Sequence, residues 1–112
     1  MLIDLRTYTC RPGTIKLHLA LYAEHGYAAQ KRNLGEPLLY ATGESGDPNS
    51  YVHIWVYESA ADRETKRNAL AADPDWANYL RLSREAGYLT SQTNELMKPV
   101  DFAPAPTVKA AG

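Results

Sequence analysis

The sequence predicts an α+β fold of the ferredoxin-like type, βαββαβ, on one antiparallel four-stranded sheet. Three observations carry that prediction. Residues 2–10 and 51–57 alternate apolar and polar side chains with period two, the mark of a half-buried strand. Residues 14–31 and 59–87 repeat apolar residues at helical spacing. Proline, glycine, aspartate and asparagine divide the chain in the order strand, helix, strand, strand, helix, strand.

Each element has its own signals. In the first strand Ile3, Leu5, Thr7 and Thr9 alternate with Asp4, Arg6, Tyr8 and Cys10, and Arg11-Pro12-Gly13 ends it. Thr14 can cap a helix reaching about Lys31, with Ile15, Leu19, Tyr22, Gly26 and Ala29 on one stripe. Leu17, Leu21 and Ala28 form a second stripe, so that helix should be covered on two sides, by a partner or by the tail. Pro37 to Thr42 is a short second strand, and Gly43 to Ser50, with Asp47-Pro48-Asn49, is a hairpin loop. Tyr51 to Tyr57 is the clearest strand, with Val52, Ile54 and Val56 opposite His53, Trp55 and Tyr57. Ser59 with Asp62 three residues on resembles a capping box and opens a charged helix to about Ala72. Asp73-Pro74 restarts it as N-cap and first helical residue, splitting the second helix in two, and Gly87 can end it. Tyr88 to Met97 is a more polar strand. Residues 1–98 are thus one domain, and 99–112 a Pro/Ala-rich tail.

Composition narrows the class. The 112 residues are 45% hydrophobic and 22% charged, ordinary for a soluble globular chain. A net charge of −1 gives no basic footprint for nucleic acid, and no apolar run approaches the roughly eighteen residues a membrane span needs. No export signal is evident, and one cysteine, Cys10, fits a reducing cytoplasm and a structural thiol. The aromatics are eight Tyr and two Trp against one Phe, rings that suit pockets and interfaces as well as cores.

In this topology the sheet order is 4-1-3-2 and right-handed crossovers put both helices on one face. The aliphatic set Ile3, Leu5, Val52, Ile54 and Val56 is expected to face the helices. Asp4, Arg6, Tyr8, His53, Trp55 and Tyr57 would then share the open face. Such an amphipathic area invites a second copy, so the expectation is a homodimer whose helix-free faces meet around a shared cavity.

Several motifs resemble the NIPSNAP family: Asp4-Leu5-Arg6-Thr7-Tyr8-Thr9 with Arg11-Pro12-Gly13, and Gln30-Lys31-Arg32 with Leu34-Gly35. So do Val52-His53-Ile54-Trp55-Val56-Tyr57 with Ala61-Asp62-Arg63, and Asp73-Pro74-Asp75-Trp76 with Tyr79. The likeness covers roughly residues 1–100. It implies a ferredoxin-like chain that pairs into a dimeric α+β barrel, a fold shared with cofactor-free monooxygenases, isomerases, lyases and haem-degrading enzymes. It implies no one reaction.

The candidate site is Arg6, Tyr8 and His53 for catalysis, with Trp55, Tyr57, Asp4, His25 and Glu95 as substrate contacts. Arg6 offers a fork of donors to a carboxylate or enolate, and His53 could carry a proton near neutral pH. Tyr8 or Tyr57 could donate to an oxyanion, and Trp55 could stack on a flat substrate. The resemblance places a Glu24-His25-Gly26 match near the pocket, with Tyr22 beside it. The structural alternative pairs Arg6 with Asp4, Glu95 or a partner carboxylate and makes the aromatics packing. His18 and His25 stand ~10 Å apart along a helix, too far to share a metal ion, and no HxxxH or CxxC spacing occurs. No metal or cofactor is expected; a single histidine is the whole signal for haem. The charged run Asp62 to Arg67 reads as a solvated face. The expected function is a homodimer binding a small aromatic or carbonyl acid, with cofactor-independent isomerase, cyclase, lyase or monooxygenase chemistry. The alternative is a non-catalytic dimerisation or protein-interaction module.

Overall fold

The computed structural model describes residues 1–110. The elements are β1 (Leu2–Cys10), α1 (Ile15–His25), α2 (Tyr27–Leu34), β2 (Leu39–Thr42), β3 (Ser50–Tyr57), α3 (Ala60–Ala71), α4 (Pro74–Ala86) and β4 (Leu89–Met97). All strand pairs are antiparallel and the sheet order is β2-β3-β1-β4, the ferredoxin-like arrangement.

Thr14 stands at the start of α1 but makes no side-chain cap, its hydroxyl donating instead to the Arg11 carbonyl at 2.7 Å; the other predicted caps are present. The Ser59 hydroxyl accepts from the Asp62 amide at 3.1 Å, while the Asp62 carboxylate accepts from the Glu58 amide at 2.9 Å. Asp73 caps α4 by accepting from the Asp75 amide, and Gly87 ends it at φ 67°, a left-handed conformation only glycine adopts freely.

The predicted single helix over 14–31 is instead two, hinged at Gly26. A Cβ there would lie 2.8 Å from Tyr79 Cγ, so this bend seats α4's Tyr79 ring against the junction. Of the outer stripe, Leu17 is 55% exposed and Ala28 exposed within the chain, while Leu21 is half-buried. The tail folds back along its own chain, where the Lys109 carbonyl accepts from the Glu36 amide.

The two faces of the sheet are reversed from expectation. Asp4, Cys10, Tyr51, His53, Trp55 and Tyr57 are buried, and Trp55 and Tyr57 form the core with Leu34 of α2 and Leu70 of α3. Ile3, Leu5, Val52 and Ile54 point away from the helices and are only half-buried, with Val56 alone of that set buried. Leu39 (paired with Ile54) and Met97 (paired with Ile3) extend the aliphatic face to both edge strands. The physical reason is that Tyr, Trp and His rings bury large apolar areas and tie their polar tips into hydrogen bonds, so they can fill a core.

Candidate functional site

Alternation along β1 puts Asp4, Arg6 and Tyr8 on the helix-facing side, opposite Trp55, His53 and Tyr51 of β3. Tyr40 of β2 pairs with His53 from the other side. Above this floor stand Tyr22 and Gln30 from the first two helices, Arg67 from α3, and Trp76, Tyr79, Leu80 and Ser83 from α4. Between floor and roof lies a cavity of about 190 Å³, inside a single chain. Leu80 and Gln92 are its exposed lining residues, which puts its mouth between α4 and β4. Arg6, Tyr8 and His53 thus line a cavity on the helix-covered face of the sheet, not the helix-free face on which they were expected.

The lining is preorganised. Tyr40 and His53 stack with ring centres 4.7 Å apart, and Tyr8 meets His53 edge-on at 4.6 Å. The Tyr40 hydroxyl donates to that of Tyr22 at 2.7 Å, and Tyr22 donates to the Gln30 side-chain carbonyl. Burial pushes the phenols of Tyr22, Tyr40 and Tyr51 far above their ordinary range and Tyr79 up to about 12, so all four stay neutral.

Asp4 does not line the cavity; it braces Arg6. Fully buried, it accepts from Arg6 at 3.2 and 3.3 Å, Arg63 at 3.1 Å and Asn94 at 3.3 Å. Burial works to raise its pKa, but the Arg6 charge and the three donors outweigh it and hold the carboxyl below its ordinary value. Arg6 also donates to the Tyr8 hydroxyl at 3.2 Å.

His53 is buried to 1% exposure, and its Nδ1 accepts from the Trp55 indole N–H at 2.8 Å. Indole nitrogen only donates, so Nδ1 is the acceptor and the ring proton sits on Nε2. Burial, reinforced by the charge of Arg6, lowers the His53 pKa to about 3. At neutral pH the ring is therefore an uncharged donor, and the expected role of proton carrier does not fit it. Nε2 is buried and has no hydrogen-bond partner in the chain.

Of the expected site, then, Arg6, Tyr8 and His53 line the cavity together. Trp55 lies in the core and fixes the His53 tautomer; Tyr57 lies there too, its hydroxyl buried without a partner. His25 is half-exposed at the end of α1, 3.6 Å from Glu24. Glu95 is exposed on the opposite face, paired in register with Leu5. Arg67 is the residue the sequence reading passed over: the run from Asp62 is not wholly solvated, because Arg63, Arg67 and Leu70 share one helical stripe turned inward. Among the described residues no cluster of three His, Cys, Asp or Glu is placed to hold a metal ion. No helix there is long and apolar enough to cross a membrane.

The NIPSNAP family model matches residues 3–104. This chain belongs to the NIPSNAP family. A NipSnap homologue of Dictyostelium discoideum is 30% identical over 97 residues, 87% of this chain but 42% of that protein. The chain thus spans less than half the length of this relative. Among solved structures, an Agrobacterium tumefaciens protein is 36% identical with a TM-score of 0.85, covering 93% of this chain and 98% of that one. An uncharacterized NIPSNAP domain protein from Burkholderia xenovorans is 30% identical at 0.85, covering 94% and 100%. An antibiotic biosynthesis monooxygenase, 23% identical at 0.61 over 89% of this chain and 99% of its own, shares the fold alone.

Proposed function

We propose that this NIPSNAP chain is a small-molecule-binding protein that carries one ligand chamber per chain and works as a homodimer. The observation that carries the reading is the cavity itself, enclosed between sheet and helices and lined by neutral phenols, two arginines and a donor histidine. Ligand sites combine apolar and aromatic walls with a few fixed polar groups in this way. At about 190 Å³ the chamber is small, which favours a compact aromatic or carbonyl compound. The fitting chemistry is cofactor-independent, of the isomerase, cyclase, lyase or monooxygenase type. In such a reaction His53 would polarise a carbonyl oxygen as a neutral donor while Arg6 and Tyr8 supported developing negative charge. Pairing is supported by the uncovered aliphatic face of Ile3, Leu5, Val52, Ile54 and Leu39, an apolar patch suited to its own copy. The buried free thiol of Cys10, pushed up by burial, suits a cytoplasmic setting.

The test is a thermal-shift screen of small aromatic acids, amides and ketones. Some member should raise the Tm of the natural chain and not of Ser83→Trp, which fills the mouth. Equal shifts in both would place binding elsewhere. The second reading, a protein-interaction module, is favoured by the exposure of Leu17 and of Phe102, which is 92% exposed. A stable dimer that no compound stabilises would support it.

A further inference from the structure

The chamber carries an unbalanced charge. Two guanidinium groups line it and no carboxylate does. Arg6 is matched by Asp4, at 3.2 Å. Arg67 has no ion-pair partner among the described residues, and its Nη1 is buried with no well-formed hydrogen bond, its neighbour being the equally unpartnered Tyr57 hydroxyl. His53, 1% exposed, lines the same cavity, and its Nε2–H is likewise buried without a partner. Orphaned buried donors are costly and rare in folded proteins. Two in one cavity, on β3 and α3, are complementary to an acceptor that bears negative charge.

We propose that the chamber takes an organic carboxylate, its acid group held between Arg67 and the His53 Nε2–H and its ring against the phenols. This rests on the small-molecule reading above and adds the chemical class of the ligand and its anchor. A guanidinium matches a carboxylate's two oxygens, and a neutral imidazole donor completes the site without adding charge. The Trp55 bond to Nδ1 keeps His53 in the donating tautomer, so Trp55 is a positioning residue.

Benzoate and its uncharged isostere benzamide test the anchor by calorimetry, with nitrogen-15 NMR following the His53 ring. Benzoate should bind at least about tenfold more tightly than benzamide, and Arg67→Gln should abolish that preference. The Nε2–H signal should move on benzoate addition while Nδ1 stays unprotonated. Arg67→Lys should recover part of the preference, separating charge from folding. Equal binding of the two compounds, or an unchanged preference in Arg67→Gln, overturns the carboxylate assignment and leaves the chamber standing. Binding of neither compound overturns both the assignment and the chamber as a ligand site.

Discussion

At the scale of single residues, the site depends on charges taken out of water and then matched. Asp4 is the clearest case, because one carboxylate anchors Arg6 and Arg63 from two layers. Asp4→Asn should cost about 3 kcal/mol in denaturant unfolding, as breaking buried pairs does. A change within error of zero would mean the two arginines find other partners. His53 makes a pH prediction. Its pKa falls from the ordinary 6.5 to about 3 in the fold, through burial and the Arg6 charge. Between those values the unfolded chain binds a proton that the folded chain refuses, so stability is full above about pH 6.5 and declines toward pH 3. The slope approaches about 1.4 kcal/mol per pH unit for one such group. Burial lowers His18 as well, and that adds to the decline. Unfolding free energies at pH 7 and 5 should therefore converge in His53→Gln relative to the natural chain; an unchanged difference would contradict the neutral ring. The residues Arg6, Tyr8 and His53 were legible because strand periodicity puts them side by side. The tautomer was not, since it is set by an indole two residues away on the same strand.

At the scale of elements, strands and caps follow local rules and were readable, while breaks and faces follow tertiary contacts. Ser59, Asp73 and Gly87 act where their chemistry predicts. The hinge at Gly26 left no such mark, because a glycine inside an apolar helical stripe looks like a gap rather than a break. It is decided by the Tyr79 ring of another helix. Gly26→Ala should accordingly cost about 1–3 kcal/mol, an overpacking penalty, and lower the Tm. A neutral or stabilising result would show that Tyr79 can retreat. The reversed sheet has a related cause. Period-two alternation sorts residues onto two faces but does not say which face turns inward. Here the inward face is the amphipathic one, where ring area serves as core and polar tips as site. Arg67 was hidden for the same reason, in a helix whose charged sequence resembles a solvated surface although its 63/67/70 stripe points at the sheet.

At the scale of the whole molecule, the reversal separates two jobs that the sequence reading had merged. The helix-covered face holds the cavity proposed as the ligand chamber, and the aliphatic face is the one proposed to pair. Light scattering should give twice the chain mass for the natural protein and one chain mass for Ile54→Asp, with benzoate affinity changed by no more than about twofold. A natural chain of single mass would remove the dimer from the account, and loss of ligand binding with loss of pairing would return the site to the interface. The proposed ligand lies inside each chain, with its acid group on Arg67 and His53. The most direct measurement is a crystal structure of the protein with benzoate. One molecule per chain is expected between sheet and helices, its carboxylate within hydrogen-bonding distance of Arg67 and His53 Nε2. Benzoate bound between two sheets on Ile3, Leu5 and Ile54, with the inner cavity holding only water, would contradict it.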